Sequence, residues 1–247
     1  MKISTITSGN KGGTGKTTIS LLLTLASNYA GIPALHIDTS SEGGAGTILL
    51  GAKPGPYLRD FFEGRASILE SINIYTLELG DEEFDFYILL NSGCLPKIRL
   101  ESFFTCLRSL ERYFELVIID LPAYQDLWYE QFSMLSDVVV KVTEPSPASL
   151  TAVFSAWPRL NDEASIDVIY VLNQPRFYSM SVVKLYEERL KQSVGEERVV
   201  VIPYDYAASR LAPENIEVAL LNLSEKFQDA LITLTQKLLR PKVKIKT

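Results

Sequence analysis

Short apolar runs rich in β-branched residues alternate along the chain with segments whose apolar residues recur at helical spacing. Strands are predicted over Ile3–Ser8, Ala34–Ile37, Leu116–Ile119, Val138–Val142, Val168–Leu172 and Val199–Ile202, with helices over Ile19–Tyr29 and Ala148–Leu160. That order predicts an α/β architecture, a mostly parallel twisted sheet covered by helices in three α/β/α layers. The runs Val117-Ile118-Ile119, Val138-Val139-Val140 and Val199-Val200-Val201-Ile202 do not alternate with polar residues. Strands buried on both faces have this character, so these three are expected at the centre of the sheet. One stretch breaks the rhythm: Ile72–Leu79 and Phe84–Leu90 flank Gly80-Asp81 and predict an antiparallel hairpin at the sheet's edge.

Composition narrows the class. The chain has 247 residues and is 47% hydrophobic, enough to bury one large core, and a single domain over residues 1–240 is expected, followed by a basic tail at 241–247. No run of roughly 18 apolar residues occurs, and a strand pattern begins at once with no basic-then-apolar leader, so a cytoplasmic protein is expected. Cys94 and Cys106 have no histidine near them and fit neither a disulfide framework nor a metal site. A net charge of −6 argues against a broad electrostatic footprint on nucleic acid, although a local basic patch is compatible with it.

Between the first strand and its helix lies Gly9-Asn10-Lys11-Gly12-Gly13-Thr14-Gly15-Lys16-Thr17-Thr18. A loop that wraps a polyphosphate needs glycines, because backbone amides must approach the oxygens closely and turn where a β-carbon would obstruct. Gly9, Gly12, Gly13 and Gly15 supply this, the helix N-terminus at Thr17 and Thr18 adds unpaired amides, Lys16 adds a point charge, and the Thr17 hydroxyl offers a magnesium ligand. The match to G-x-x-x-x-G-K-[ST] sits between a strand and a helix, the context that gives the pattern its meaning. ATP with Mg2+ is the expected ligand. Two strand-ending aspartates, Asp38 after Ala34–Ile37 and Asp120 after Leu116–Ile119, stand where further oxygen ligands are needed. Such an aspartate also caps the next element in many proteins, so neither identifies a metal site alone.

Lys11 is not required by the basic motif. With it the loop resembles that of the ParA and MinD family of ATPases, whose deviant form reads K-G-G-x-G-K-[ST], matched by Lys11 through Thr17. The resemblance implies a P-loop NTPase fold and a homodimer in the ATP state, in which Lys11 reaches the phosphate held by the other subunit. It also implies that Asp120-Leu121-Pro122 is the D-x-P switch and that Asp38 opens a D-x-D-P-Q segment. Catalytic roles then fall on Lys11, Lys16, Asp38 and Asp120, and metal roles on Thr17, Asp38 and Asp120. Asn173 and Pro203, after the strands ending at Leu172 and Ile202, occupy the positions that would meet the adenine. No N/T-K-x-D run follows, which disfavours guanine.

The chain departs from that family at Ser40, where the second aspartate that orients water would stand; the segment reads Asp38-Thr39-Ser40-Ser41-Glu42. A serine hydroxyl hydrogen-bonds water but does not accept its proton as a carboxylate does, so slow hydrolysis is expected unless Glu42 substitutes. His36, the only histidine, reads as a structural residue of an apolar strand. Trp128, Tyr129 and Phe132 read as core more readily than as a partner surface.

Leu220, Leu223, Phe227, Leu231, Leu234 and Leu238 form an apolar stripe at helical spacing, and Pro241 is expected to end that helix. Its simplest reading is packing on the sheet. Lys237, Arg240, Lys242, Lys244 and Lys246 would also serve non-specific DNA, as in a ParA-type protein, or anionic lipid, as in a MinD-like one; Glu225 and Asp229 weaken the membrane reading. A partner protein that stimulates hydrolysis belongs to the same expectation. A dimerising ATPase switch leads, and a scaffold held by ATP with little turnover is the alternative that Ser40 motivates. An iron-sulfur carrier lacks its C-x-x-C pair, a ligase of this fold generally lacks the equivalent of Lys11, and a tyrosine kinase's terminal tyrosine cluster is missing after Tyr206.

Overall fold

A computed structural model of the chain describes residues 1–40, 55–123, 127–158 and 166–240. Glu42 and the basic tail at 241–247 lie outside the described residues, as does Pro241. Eight strands form one sheet: β1 Lys2–Thr7, β2 Ala34–Asp38, β3 Asn73–Leu79, β4 Glu82–Leu89, β5 Leu116–Asp120, β6 Val138–Thr143, β7 Asp167–Asn173 and β8 Val199–Ile202. Their spatial order is β3-β4-β2-β5-β1-β6-β7-β8, with every neighbouring pair parallel except β3 with β4. The mostly parallel sheet with an edge hairpin is therefore observed, and Gly80, at φ +67°, makes its turn.

Helices cover both faces, in the three-layer arrangement that a parallel sheet requires. On one face α1 (Lys16–Tyr29), α9 (Ile216–Leu221) and α10 (Glu225–Leu239) bury a cluster that includes Ile6, Leu22, Phe86, Ile118, Val140, Leu231 and Leu234. On the other, α2 (Leu58–Phe62), α3 (Ile68–Ser71), α4 (Leu100–Arg108) and α5 (Leu127–Leu135) cover Ile3, Ile37, Val117 and Ile119. Beside them α6 (Pro147–Ser155) and α7 (Met180–Val194) pack on Val139, Tyr170 and Leu172. A short helix α8 (Tyr206–Ser209) follows β8. Among the described residues no helix is long and apolar enough to cross a membrane.

Three expectations are corrected. The run Val199–Ile202 is not central: β8 pairs with β7 at the end of the sheet order, and its apolar character reflects helices on both faces, not neighbours on both edges. The helix expected over Ala148–Leu160 ends at Ser155: Ala156 is extended (φ −72°, ψ 147°), and Trp157, which precedes Pro158, is disfavoured in the α region; residues 159 and 160 lie outside the described residues. The terminal stripe is split. Leu220 belongs to α9, that helix ends at Leu221 with Asn222 as its C-cap, and α10 starts after Ser224, whose backbone N–H donates to Asp205 Oδ2 at 2.9 Å. Phe227, Leu231, Leu234 and Leu238 are buried against the sheet, the simplest reading of the stripe. Trp128 and Phe132 are likewise buried, with Trp128 Nε1 donating to the Ile98 carbonyl at 2.8 Å. Cys94 and Cys106 are free thiols.

Candidate functional site

The carboxyl ends of the parallel strands bring the sequence-predicted residues together, as the topology of open α/β sheets favours. The loop from Ser8 to Gly15 joins β1 to α1. It is braced by Ser8 Oγ donating to the Lys11 carbonyl at 2.8 Å and by the Gly9 N–H donating to Thr7 Oγ1 at 3.0 Å. Gly15 holds the position before α1 in the left-handed region (φ 77°), where a β-carbon would stand 2.3 Å from Asn173 Nδ2. Gly13 shares that φ and has open space around it, while Gly12 and Gly13 are exposed. Thr14 is buried beneath the loop; Thr17 and Thr18 begin the helix half-buried, and Lys11 is half-buried on the loop's outer arm.

Lys16 is 7% exposed and its Nζ lies 2.7 Å from Oδ1 of the fully buried Asp120. Asp38 and Asp120 are register partners on β2 and β5, so their carboxylates share one face of the sheet. Burial pushes the Asp38 carboxyl up to about 6, the Asp120 charge adds to the rise, and the Ser40 hydrogen bonds and Lys16 only partly offset it. The Ser40 N–H donates to Asp38 Oδ1 at 2.9 Å, and the Thr39 N–H and hydroxyl donate to the Asp120 carbonyl at 3.1 and 2.7 Å. Oδ2 of Asp38 and Oδ2 of Asp120 are buried without a hydrogen-bond partner among the described residues. His36 is fully buried, and burial pushes its imidazole down to about 4 against the opposing pull of Asp120.

This donor set fits a polyphosphate with a hard divalent cation. Two buried carboxylate oxygens without partners, a helix-start hydroxyl at Thr17 and a glycine loop with room for an anion supply hard oxygen ligands and backbone amides. Among the described residues no group of three or more His, Cys, Asp or Glu side chains could hold a metal by itself. Magnesium needs none, since it keeps waters and is bound through one or two carboxylates plus substrate phosphates.

Beside the loop, a pocket is lined by Gly15, Thr18, Asn173, Gln174, Pro175 and Asp205, among others. Asn173 Nδ2 donates to the Thr14 carbonyl at 2.8 Å, tying the end of β7 to the phosphate loop. Pro203 is half-buried after β8 and does not line this pocket, whose wall there comes from Asp205, Ala208 and Ser209.

The sequence reading missed Asn91. It follows β4, is fully buried, and its Nδ2 donates to the Ser40 carbonyl at 2.8 Å and to the Gly93 carbonyl at 3.0 Å. The missing signal was the parallel pairing of β4 with β2, which carries the end of β4 to the site.

The strand order, the glycine loop between β1 and α1 and the paired aspartates define a three-layer P-loop nucleotide-binding fold. No family model and no curated protein matches the chain. Solved structures share its fold. The septum site-determining protein MinD from Pyrococcus horikoshii, complexed with Mg-ADP, aligns at 23% identity over 95% of this chain and 94% of that one, with a TM-score of 0.73. An ATP complex of a Cyanothece McdA variant aligns at 15% identity over 98% of each chain, TM-score 0.75. The pnob8 ParA structure aligns at 14% identity over 96% of this chain and 98% of that one, TM-score 0.64.

Proposed function

We propose that this chain is an ATP-binding, magnesium-dependent ATPase that acts as a dimerising switch of the ParA type. The observation that carries the reading is the convergence of Lys16, Asp120 and Asp38 at the foot of a glycine loop, with one oxygen of each carboxylate buried and unpartnered. Structures that share the fold hold Mg-ADP in MinD and ATP in McdA, which supports the same ligand class here. Amides of Gly12 to Thr18 cradle the phosphates, Lys16 neutralises their charge, and Thr17, Asp38 and Asp120 hold the cation directly or through its waters. Magnesium supplies charge stabilisation of the transferring phosphoryl group. The pocket bounded by Asn173 takes the base, and Pro203, on the loop after β8, is the second residue assigned to it.

Lys11, half-buried beside the exposed Gly12 and Gly13, is assigned to the partner subunit's phosphate in an ATP-held homodimer. Hydrolysis is slow, because Ser40 offers water a hydroxyl where a carboxylate would serve better, and Glu42 is the nearest acidic substitute. The output is a conformation: ligand contacts bias the loops after Asp38 and Asp120, and a DNA or cargo surface distinguishes the two states. A partner protein that speeds turnover fits this cycle. A membrane-positioning role is less well supported, since the apolar face of α10 is buried on the sheet. A second reading, an ATP-held scaffold with negligible turnover, is favoured by Ser40 alone.

Phosphate release and light scattering on the same samples separate the two. ATP that produces a dimer decaying with phosphate release supports the switch, a dimer that persists without phosphate supports the scaffold, and a monomer that binds no ATP refutes both.

A further inference from the structure

Along the outer flank of α1, separate from the pocket beside the glycine loop, lies an apolar groove of about 440 Å3 that the nucleotide reading does not use. Its position follows from topology. The turn at Gly80 and Asp81 precedes β4, whose far end leads to Asn91 beside Ser40, so the groove at Leu79 and Phe84 lies at the amino ends of the parallel strands.

Four elements form its walls. Helix α1 contributes Leu22 and Leu25, the hairpin Leu79 and Phe84, α9 Leu221 and α10 Ile232. Leu221 is 59% and Ile232 52% exposed, values high for large apolar side chains grouped in one depression. The Tyr29 ring, half-exposed, stands edge-on to Phe84 at 5.5 Å and extends the apolar floor.

Charge around the groove has one sign. The hairpin brings Glu82, on the same face as Leu79 and Phe84, and Asp81 in its turn, while strand alternation sets Glu78 and Glu83 on the other face; α9 carries Glu217, and the first turns of α10 carry Glu225 and Asp229, with Lys226 the one cation among them. The neighbouring Glu82 carboxylate at the groove's rim holds the Tyr29 phenol above its ordinary pKa. Helical spacing sets Glu225 beside Gln228 and Ile232, both of which line the groove, and turns Lys226 away from it.

We propose that this groove docks a basic amphipathic helix of a partner protein, its apolar face in the groove and its lysines or arginines against the acidic rim. The depression accommodates roughly four anchors at i, i+3, i+4 and i+7, the way an amphipathic helix seats in an apolar groove. A second copy of this chain is a poorer occupant, because a two-fold pairing through this face would set acidic rim against acidic rim. Anionic lipid is repelled for the same reason. Because no residue that lines the groove lines the pocket beside the glycine loop, the proposal stands or falls apart from the nucleotide reading.

The test uses fluorescence anisotropy with the full chain and two labelled synthetic helices, a leucine–lysine amphipathic peptide and its leucine–glutamate counterpart. The lysine peptide is expected to bind saturably and more weakly as salt rises, the glutamate peptide not at all. Ile232→Glu and Leu221→Glu, both at exposed positions, are each expected to weaken binding at least about tenfold with unchanged thermal unfolding, as loss of a buried anchor does. Peptide affinity is expected to be the same with and without ATP and Mg2+. No saturable binding of the lysine peptide, equal binding of both peptides, or indifference to both substitutions would overturn the proposal. So would concentration-dependent self-association of the chain that Ile232→Glu abolishes, because a second copy would then be the occupant.

Discussion

The Lys16 ammonium stands 2.7 Å from the Asp120 carboxylate, and this buried ion pair joins the first helical turn to the end of β5. Breaking such a pair from one side leaves the other charge without water or partner, at a cost of about 3–5 kcal/mol. The two halves are not equivalent here, because Asp120 also faces the Asp38 carboxylate. Lys16→Met leaves two carboxylates together with no cation, whereas Asp120→Asn removes one charge of the repelling pair. Urea unfolding is therefore expected to show a larger loss for Lys16→Met than for Asp120→Asn, and to show their effects as non-additive in the double variant.

The loop glycines separate conformation from space. Gly13 and Gly15 both have φ 77°, but a β-carbon at Gly13 meets nothing within 4 Å, while at Gly15 it would strike Asn173 Nδ2. Gly13→Ala is expected to cost only the left-handed strain, about 1–2 kcal/mol. Gly15→Ala should cost more, since Asn173 must also abandon the Thr14 carbonyl. Equal losses in thermal melts would show that the contact with Asn173 has no weight.

Asn91 holds the Ser40 carbonyl and so fixes the backbone that carries Asp38 and Ser40. Asn91→Ala is expected to lower the rate of phosphate release by about tenfold, the loss of roughly one positioning hydrogen bond, with nucleotide affinity nearly unchanged. A fall in affinity at unchanged turnover would place Asn91 in ligand binding.

Asp137 gives the acid limb of stability a residue. Its carboxylate accepts from Arg108 Nη2 at 2.9 Å and from the Ile3 N–H at 2.8 Å. Burial alone would raise its pKa, but those donors outweigh burial and hold it below the ordinary 3.8. A carboxyl whose folded pKa is depressed contributes stability that is complete above its unfolded value and lost as pH falls through the folded one. Asp137→Asn is therefore expected to unfold at lower temperature than the parent at pH 6 or 7, and the difference should shrink below about pH 4. A difference independent of pH would assign the effect to packing.

The glycine loop between β1 and α1, the two strand-ending aspartates and most strands were legible in the sequence because each rests on local pattern: glycines at fixed spacing, or apolar runs closed by an acid. What escaped depends on pairing across the sheet. Asn91 ends an ordinary apolar strand, and only the parallel alignment of β4 with β2 carries it to Ser40. Val199–Ile202 looked central because burial of both faces and occupation of both edges leave the same apolar signature, yet only the first holds. The stripe through Leu220 and Leu238 kept its period across Asn222 although the helix did not, since both pieces bury leucines on one core.

Calorimetric titration of ATP with Mg2+ into the full chain tests the central claim most directly. The account predicts saturable binding that requires Mg2+, is abolished by Lys16→Ala and is strongly weakened by Asp120→Ala, with Asn91→Ala close to the parent. Absence of binding by a folded parent protein, or binding indifferent to both Mg2+ and Lys16→Ala, would contradict it.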